Sequence, residues 1–357
     1  MRAVAVIPGT PDSLHLRDDA PDPVRRPDEA LVRVLDAGIC ATDMEINAGI
    51  FGTPPAGSPF LILGHENLGR VEIVPPGCGL VPGDLVVSTV RRGCPEPCRA
   101  CQSDQNDMCL SGHFQERGIR GLHGFMAERY AESPRYLIRL PPHLREVAVL
   151  IEPMSVVQKG IEQAYRIQQR LSWEPRKALV LGAGPVGLLA ALVLRLRGLE
   201  VHVAALEPEG SSRDRLLREL EIHYACTVAT PVDEVASQVG GIDLVFEATG
   251  ATSVVLSAMR ALGPNGVCIL SSVTPSRKME ADLGAWNREM VLGNRLAFGT
   301  VNAARRNFEA GVRDLEGAEA RYPGWLAQLI TRRLPFTAVR EGMARRPDDI
   351  KTVLEFA

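Results

Sequence analysis

Four cysteines crowd into one short segment of the chain. Cys94, Cys98, Cys101 and Cys109 are separated by three, two and seven residues. Four thiolates in one loop can complete the tetrahedral shell of a zinc ion and leave no position open for a substrate, as in structural zinc sites. The alternative, four reduced thiols without a metal, would be an unusual use of cysteine in a reducing compartment. The spacing therefore predicts a structural zinc ion.

A glycine-rich turn offers a second kind of chemistry, the binding of a phosphate. The glycines fit the pattern G-x-G-x-x-G between an apolar run at 178–181 and a stretch typical of a helix. In this context the first glycine permits a tight turn, the second lets the backbone approach a pyrophosphate, and the third lets helix and strand pack closely. The alternative is a strand-to-helix turn with incidental glycines. The predicted cofactor contacts are Gly182, Gly184, Pro185, Val186 and Gly187.

The end of the next predicted strand carries the residue that would select between NAD and NADP. Glu207 follows Gly187 by twenty residues, where a carboxylate accepts hydrogen bonds from the adenosine ribose and repels a 2′-phosphate. The alternative is a solvated surface glutamate. Arg213, six residues later, would instead favour NADP, because a guanidinium pairs well with phosphate. We expect NAD to be favoured, with NADP possible and Arg213 a candidate cofactor contact.

Length and composition set the frame for these motifs. The chain has 357 residues, of which 45% are hydrophobic and 23% charged, and its net charge is −3. This length suits about two domains, and the charge offers no basic surface to nucleic acid. The N-terminal residues lack a signal-peptide core, and the longest uncharged run, 178–194, is too short and too rich in glycine to span a membrane. We expect a cytoplasmic protein without nucleic-acid or membrane partners.

The elements that would position the motifs fall into two groups. Up to about residue 170, short apolar runs between prolines and glycines are typical of many short strands, and the breaker-poor stretch 146–170 predicts helix. From Lys177 strand and helix alternate, which predicts a doubly wound parallel sheet. Its strands are predicted near 178–181, 201–206, 243–246, 267–271 and 296–300, and its first helix at 185–198. Helices near 303–315 and 325–330 and a strand at 352–356 follow.

The role of a third group of residues is indicated only by resemblance to a known family. Cys40 precedes the pair His65 and Glu66 by 25 residues, which alone indicates little because a buried cysteine usually acts as a small apolar filler. Residues 38–43 (GICATD) and 64–66 (GHE), however, resemble the catalytic-zinc segments of the medium-chain dehydrogenases. Within that superfamily the chain most resembles the zinc-dependent glucose (aldose 1-) dehydrogenases. The segments that carry this are 91–94, 116–119, 121–128, 151–159, 288–292, 301–303 with Phe308 and Glu309, and 348–356.

The resemblance implies a second, catalytic zinc ion. Cys40, His65 and Glu152 would be its ligands, and Glu66 would be a ligand or an exchanging neighbour. Thr42 would take the proton from the substrate hydroxyl. A zinc ion with an open position polarises an alcohol oxygen, and hydride then passes to the nicotinamide. For an aldose the reacting hydroxyl is on C1 and the product is a lactone.

The resemblance also implies which residues meet the substrate and the cofactor. Glu116, Glu152 and Asn302 would bind sugar hydroxyls, with Asn302 also near the cofactor. For Glu116 and Asn302 the alternatives are a surface salt bridge and a helix N-cap. Thr249, Gly250 and Val273 would lie beside the nicotinamide. The implied fold is a β-rich GroES-like catalytic domain, residues 1–171 and 301–357, and a Rossmann domain, residues 172–300, in a homodimer or homotetramer.

Two departures from the family pattern leave alternatives open. Val90 stands where several relatives have an asparagine, which removes one sugar contact, and Glu207 stands where NADP-using relatives carry Asn-Arg-Arg-like residues. The substrate of such an enzyme could instead be another polyol, an amino sugar or a secondary alcohol. A catalytically silent nucleotide-binding protein is the alternative from another class. Four residues speak against it, since a protein without chemistry would not need them: Cys40, Thr42, His65 and Glu152.

Overall fold

The computed structural model of the protein describes residues 1–273 and 278–356, and its chain divides into two compact units. Unit 1 comprises Met1–Ser155, Asn302–Glu316 and Leu326–Ala357, and unit 2 comprises Val156–Val301 and Gly317–Trp325, in each case for the described residues.

Most of the strands are short, as the prolines and glycines of the first half predict. The strands of the described residues are β1 (Ala3–Val6), β2 (His15–Arg17), β3 (Ala30–Ile39), β4 (Leu61–Ile62), β5 (Glu66–Ile73), β6 (Leu85–Ser88), β7 (Arg91–Arg92), β8 (Gln115–Arg117), β9 (Gly121–Leu122), β10 (Arg129–Glu132), β11 (Leu137–Leu140), β12 (Lys177–Leu181), β13 (Glu200–Ala205), β14 (His223–Cys226), β15 (Ile242–Glu247), β16 (Leu262–Leu270), β17 (Leu296–Gly299), β18 (Ile330–Pro335) and β19 (Lys351–Glu355).

The helices follow the breaker-poor stretches. Those of the described residues are α1 (Ala41–Asn47), α2 (Arg99–Gln102), α3 (Ile151–Ile167), α4 (Pro185–Leu196), α5 (Ser212–Glu219), α6 (Val232–Val239), α7 (Thr252–Arg260), α8 (Leu283–Leu292), α9 (Arg305–Arg321), α10 (Trp325–Leu329) and α11 (Val339–Met343). None of the described helices is both long and apolar enough to cross a membrane.

Unit 1 is built on a mixed, mainly antiparallel sheet. Its strands lie in the order β11-β6-β5-β3-β19-β18, with β10 also paired to β3, and two smaller sheets, β2-β1-β4 and β7-β8-β9, complete the unit. The central strand β3 is buried along most of its length. It pairs with β5 on one edge and with β10 and β19 on the other. The predicted strand near the C-terminal end is confirmed as β19. The strand beside it, β18, was not predicted, since its sequence ITRRLP lacks a clear apolar alternation.

Unit 2 confirms the predicted doubly wound sheet. Its six strands lie in the order β14-β13-β12-β15-β16-β17, and every pair is parallel. The strand order reverses between β12 and β15, and in such sheets ligands bind beyond the carboxyl ends of the strands at that point. The central strands β12 (KALVL) and β15 (IDLVFE) are mostly apolar, and all their residues except Lys177 and Asp243 are buried. The edge strand β14, with the sequence HYAC, carries no such signal and was not predicted.

The observed units differ from the sequence-based boundaries in helix α3 and in part of the C-terminal segment. The sequence-based division groups residues 156–171, 301 and 317–325 with the first domain, whereas the structure places them in unit 2. The contacts of α3 explain its place. The reason is close packing: a Cβ on Gly160 would lie 3.0 Å from Ile269 Cγ2 and 3.2 Å from Phe246 Cε2. The buried Lys159 also donates from Nζ to the carbonyl of Val301, 2.8 Å away.

Candidate functional site

The four clustered cysteines of unit 1 converge on one point. Their Sγ atoms all lie within 4.8 Å of one another, with 3.7 Å between Cys94 and Cys101 and 4.0 Å between Cys98 and Cys109. Four sulfurs around a zinc ion at about 2.3 Å are about 3.8 Å apart in a regular tetrahedron, so these spacings fit zinc. Backbone N–H groups of Cys101 and Leu110 lower the pKa of the Cys98 thiol to about 6, which favours the thiolate that binds metal.

A second potential metal site lies in the same unit. One ligand atom each from Cys40, His65 and Glu66 lie within 4.8 Å of one another. Cys40 follows β3 and precedes α1, and Glu66 opens β5, where it pairs with Gly38 of β3. A Cβ on Gly38 would lie only 1.9 Å from Glu66 Oε2. The glycine therefore makes the space into which the Glu66 carboxylate folds.

Asp43 lies close to the histidine of this cluster. Its fully buried carboxylate accepts hydrogen bonds from the backbone N–H groups of Cys40 (2.9 Å) and Gly64 (3.3 Å), and one oxygen lies 3.6 Å from His65 Nδ1. Burial lowers the pKa of His65, but Asp43 and Cys40 outweigh it and leave that pKa well above its usual value. A carboxylate behind Nδ1 leaves Nε2 to face a metal, a common outer-shell arrangement. Sequence reasoning missed Asp43, although its position three residues after Cys40, in the first turn of α1, is a visible signal.

Lys351 neutralises the glutamate of the cluster. Its Nζ lies 2.6 and 2.7 Å from the two carboxylate oxygens of Glu66, and it also donates to the carbonyl of Ile39 at 3.2 Å. Both charged side chains are buried, so each needs the other, because an unpaired buried charge is costly. Sequence reasoning missed this lysine too, although a lone Lys opening the apolar strand KTVLE was visible.

Glu152 and Thr42 are the remaining residues expected at the catalytic zinc site. Glu152 is in the first turn of α3 and is not a member of the group within 4.8 Å. Burial raises the pKa of Glu152 to about 7, while His65 opposes the rise and Glu66 adds to it. Thr42, the second residue of α1, is half-buried.

Glu116 and Asn302, the expected sugar contacts, are hydrogen-bonded to each other. Asn302 Nδ2 donates to Glu116 Oε1 at 2.8 Å, and the amide oxygen of Asn302 accepts from the N–H of Ala303 at 2.8 Å. Asn302 has a φ of +61°, a left-handed conformation that asparagine tolerates better than most residues. Glu116 also pairs with Arg91 and is only 8% exposed, so it does not form a surface salt bridge.

The glycine-rich turn of unit 2 has the shape that a dinucleotide requires. Gly182 has a φ of +103°, and a Cβ on Gly187 would lie 2.0 Å from the carbonyl oxygen of Gly182. A Cβ on Gly184 would meet nothing within 4 Å, so that part of the backbone is open to an approaching phosphate. Pro185 begins α4, and Val186 follows it. An N–H at this first helical position would have no acceptor within the helix, so proline, which lacks an N–H, is tolerated there.

Glu207 and Arg213 lie beside this turn. Arg213 Nε lies 3.3 Å from Glu207 Oε1 and 3.1 Å from the carbonyl oxygen of Ala183, within the glycine motif. Arg213 is 5% exposed, whereas 31% of the Glu207 side chain is accessible. Arg213 is the second residue of α5. The structure therefore brings together the two residues that are expected to influence the choice between NAD and NADP, with the carboxylate as the more accessible of the pair.

Two of the predicted nicotinamide contacts, Thr249 and Gly250, lie in the turn after β15, and the third, Val273, follows β16. Glu247, fully buried, accepts hydrogen bonds at Oε1 from the N–H groups of Thr249 (2.7 Å) and Gly250 (3.1 Å). Gly250 has a φ of +66°, and a Cβ there would lie 2.9 Å from the carbonyl oxygen of Val273. Sequence reasoning named Thr249, Gly250 and Val273 but missed Glu247, the group that fixes their turn.

Comparison with known proteins identifies the family. Residues 26–142 match the alcohol dehydrogenase GroES-like domain, and residues 145–356 match the glucose dehydrogenase C-terminus. The chain is 45% identical to a glucose 1-dehydrogenase of Methanocella arvoryzae and 45% identical to glucose 1-dehydrogenase 1 of Caldivirga maquilingensis, with 99% of each chain covered in both cases.

A solved structure extends the similarity to three dimensions. The glucose dehydrogenase of Haloferax mediterranei, in complex with NADP, Zn and gluconolactone, is 35% identical and superposes with a TM-score of 0.92 over 100% of this chain and 99% of its own. The resemblance, the GroES-like and Rossmann fold class and the dehydrogenase class expected from the sequence are thereby confirmed. The chain belongs to the glucose dehydrogenase family of zinc-dependent medium-chain dehydrogenases.

Proposed function

We propose that this protein oxidises the C1 hydroxyl of an aldose such as glucose to a lactone, with zinc bound and a nicotinamide dinucleotide as hydride acceptor. The observation that carries the proposal is the cluster of Cys40, His65 and Glu66, supported from behind by Asp43 and Lys351. A protein that used these side chains only for folding would gain little from burying so many ionisable groups together, because their desolvation is costly. Similarity to glucose dehydrogenases along the whole chain supplies the substrate class.

The residues of unit 1 would divide the catalytic work. Cys40, His65 and Glu152 would hold the catalytic zinc, with Glu66 as a further or exchanging ligand. Zinc bound there supplies Lewis acidity, which stabilises the negative charge that develops on an alcohol oxygen. The Thr42 hydroxyl would accept the proton of the substrate hydroxyl, and Asp43 would keep the His65 ring oriented.

Other residues of unit 1 would bind the sugar and the second metal. The carboxylates of Glu116 and Glu152 and the amide of Asn302 would hydrogen-bond sugar hydroxyls. Such contacts discriminate strongly, because an analogue without the hydroxyl leaves a buried polar group unpaired. The second zinc would be structural and held by Cys94, Cys98, Cys101 and Cys109.

Unit 2 would bind the cofactor. The pyrophosphate would lie against Gly182, Gly184, Pro185, Val186 and Gly187 at the N-terminus of α4. Thr249, Gly250 and Val273 would contact the nicotinamide half, and Glu207, paired with Arg213, would contact the adenosine ribose. Asn302 is a further proposed cofactor contact. We propose NAD as the preferred cofactor and retain residues 172–300 as the dinucleotide-binding domain, with 1–171 and 301–357 as the catalytic domain.

Initial rates with glucose, galactose and xylose, each with NAD and with NADP, test the proposal. We expect at least one aldose to be oxidised with reduction of the cofactor, and the product to be a lactone or the aldonic acid that it hydrolyses to. Acyclic polyols and simple secondary alcohols serve as the comparison substrates. Turnover of these alcohols far above that of every aldose would assign the protein to another substrate class.

We further propose that the protein is a homodimer or homotetramer and is cytoplasmic. Strand β17 lies at an edge of the parallel sheet, and none of the residues of α8 is buried. Leu283, Val291 and Leu292 of α8 are 64%, 63% and 77% exposed; exposed large apolar side chains and an open sheet edge are both features of subunit interfaces. All eight cysteines are free thiols, as a reducing compartment favours.

Leu292→Asp tests the oligomer. A charge within an apolar interface must be desolvated on association, so we expect light scattering to show dissociation to monomers at concentrations where the wild type is dimeric or tetrameric. Val228→Asp is the control, because Val228 is equally exposed, at 76%, but lies in the segment after β14. A Leu292→Asp protein with the oligomeric mass of the wild type would exclude α8 from the interface.

A further inference from the structure

One arginine of unit 1 holds the carboxylate that is expected to bind the sugar. Arg91 of β7 and Glu116 of β8 are directly opposed in the antiparallel pair. Arg91 Nε and Nη2 lie 3.0 and 2.9 Å from the same oxygen, Glu116 Oε1. Each of the two residues is only 8% exposed, so water screens the pair weakly and its geometry is well defined.

The guanidinium of Arg91 is itself fixed by other contacts. Its Nη1 donates to the backbone carbonyl of Asp107 at 2.8 Å, and its Cζ lies 3.8 Å from the centre of the Phe114 ring. A planar guanidinium held by a carboxylate, a carbonyl and an aromatic face has little rotational freedom. Arg91 therefore provides a rigid support for the Glu116 carboxylate.

This support leaves the two oxygens of Glu116 in different states. Oε1 accepts from Arg91 and from Asn302 Nδ2. Within residues 1–273 and 278–356, Oε2 accepts no hydrogen bond, and it is not among the buried polar atoms without a partner. It is thus an accessible acceptor whose direction is set by the bonds to the other oxygen. The neighbouring Val90 is buried and apolar, so it adds no polar contact.

We propose that Arg91 is a positioning residue for sugar selectivity: by binding Oε1 of Glu116 it directs Oε2 toward one hydroxyl of the aldose. The inference rests on the proposed function, because it takes Glu116 as a sugar contact. It goes further in two respects. Arg91 sets the direction of that contact, and recognition of one sugar hydroxyl depends on both Arg91 and Glu116. A purely structural ion pair between β7 and β8 would affect folding or all substrates alike.

The test compares glucose with its 2-, 3-, 4- and 6-deoxy derivatives. Glu116→Gln identifies the relevant hydroxyl, because discrimination against the corresponding deoxy sugar should fall. Arg91→Gln should raise KM for glucose about tenfold or more, the range expected for a hydrogen bond to a charged group, with kcat within about threefold and KM for the cofactor unchanged. It should also weaken discrimination against that same deoxy sugar, and Arg91→Lys should restore part of it.

Arg120→Gln is the matched control. Arg120 is exposed, and its guanidinium lies 4.8 Å from the centre of the same Phe114 ring, but its side chain forms no ion pair with Glu116 in the part of the chain that the structure describes. We expect this variant to keep the KM and the selectivity of the wild type. If Arg91→Gln fails to fold, Arg91→Lys and the double variant Arg91→Gln/Glu116→Gln, which removes both buried charges, answer the same question.

Several outcomes would overturn the inference. One is unchanged selectivity in both Arg91→Lys and Arg91→Gln. Another is an equal loss of discrimination against all the deoxy sugars. A third is additivity of the Arg91 and Glu116 changes, because the effects of groups that act through one another are not additive. If the wild type oxidises aldoses, any of these outcomes contradicts the inference about Arg91 but leaves the proposed function intact. A wild type inactive toward every aldose would overturn the proposed function, and the inference with it.

Discussion

Cys40→Ser is expected to lower kcat for aldose oxidation by roughly a thousandfold or more, while the chain stays folded. The change replaces a thiolate by a neutral hydroxyl, which binds zinc poorly. Loss of Lewis-acid stabilisation worth about 4 kcal/mol corresponds to about a thousandfold in rate. Cys40 is only partly buried, so the fold should tolerate the change. Metal analysis should show close to two zinc ions per wild-type chain and close to one in the variant.

Two further cysteine variants make this result interpretable. Cys226→Ser, outside both metal clusters and also partly buried, should keep two zinc ions and full activity. Cys98→Ser should lose the other zinc ion and lower the melting temperature, because a closed structural site contributes directly to folding. A Cys40→Ser protein with two zinc ions and unchanged kcat would show that Cys40 is not a ligand of a catalytic metal.

Glu207→Ala is expected to shift the ratio of kcat/KM for NAD to that for NADP by roughly tenfold to a hundredfold toward NADP. In the wild type the carboxylate would accept the ribose hydroxyls and repel a 2′-phosphate, an effect on the order of a few kcal/mol at an effective dielectric of about 20. Arg213, 3.3 Å from Glu207, offsets part of this repulsion, which limits the expected shift. Without the carboxylate, the same arginine would favour the phosphate.

Glu209→Ala is the control for this change. Glu209 is an exposed carboxylate two residues further on, and it should leave the ratio as it is in the wild type. Steady-state kinetics with both cofactors, at one ionic strength because salt screens such charges, provide the measurement. A wild type that prefers NADP, or a Glu207→Ala ratio equal to that of Glu209→Ala, would contradict the assignment.

The parts of the site that could be predicted from the sequence are local in the chain. The spacing of Cys94, Cys98, Cys101 and Cys109 limits where those thiols can go, and the glycine pattern at 182–187 fixes a turn whose ends are only a few residues apart. The alternation of strand and helix in unit 2 is likewise a short-range signal, and it gives the parallel sheet. The predicted strand ends nevertheless differ from the observed ones by a few residues, because the observed ends are set by hydrogen bonds to neighbouring strands.

The parts that escaped prediction depend on partners far apart in the chain. Lys351 meets Glu66 across 285 residues, and nothing near either residue indicates the pairing. Glu207 and Arg213 could be read as alternatives from sequence, whereas in space they form one ion pair. Strand β18 is recognisable only once β19 lies beside it. Asp43 and Glu247 show the same limit at short range, because an acidic residue next to a motif has the same appearance whether it is solvated or buried.

The place of β19 in the sheet sets an order of events during synthesis. Strand β3 can pair with β5 and β10 early in translation, but residues 36–39 of β3 lack a partner on their other edge until β19 (Lys351–Glu355) is made. The ribosome makes β19 only after the continuous segment 156–301 of unit 2. Until then Glu66 has no Lys351, and the edge of β3 is open to wrong pairing. Nascent chains should therefore acquire protease-resistant unit 2 before unit 1, and chains stopped before β19 should require chaperones to stay in solution.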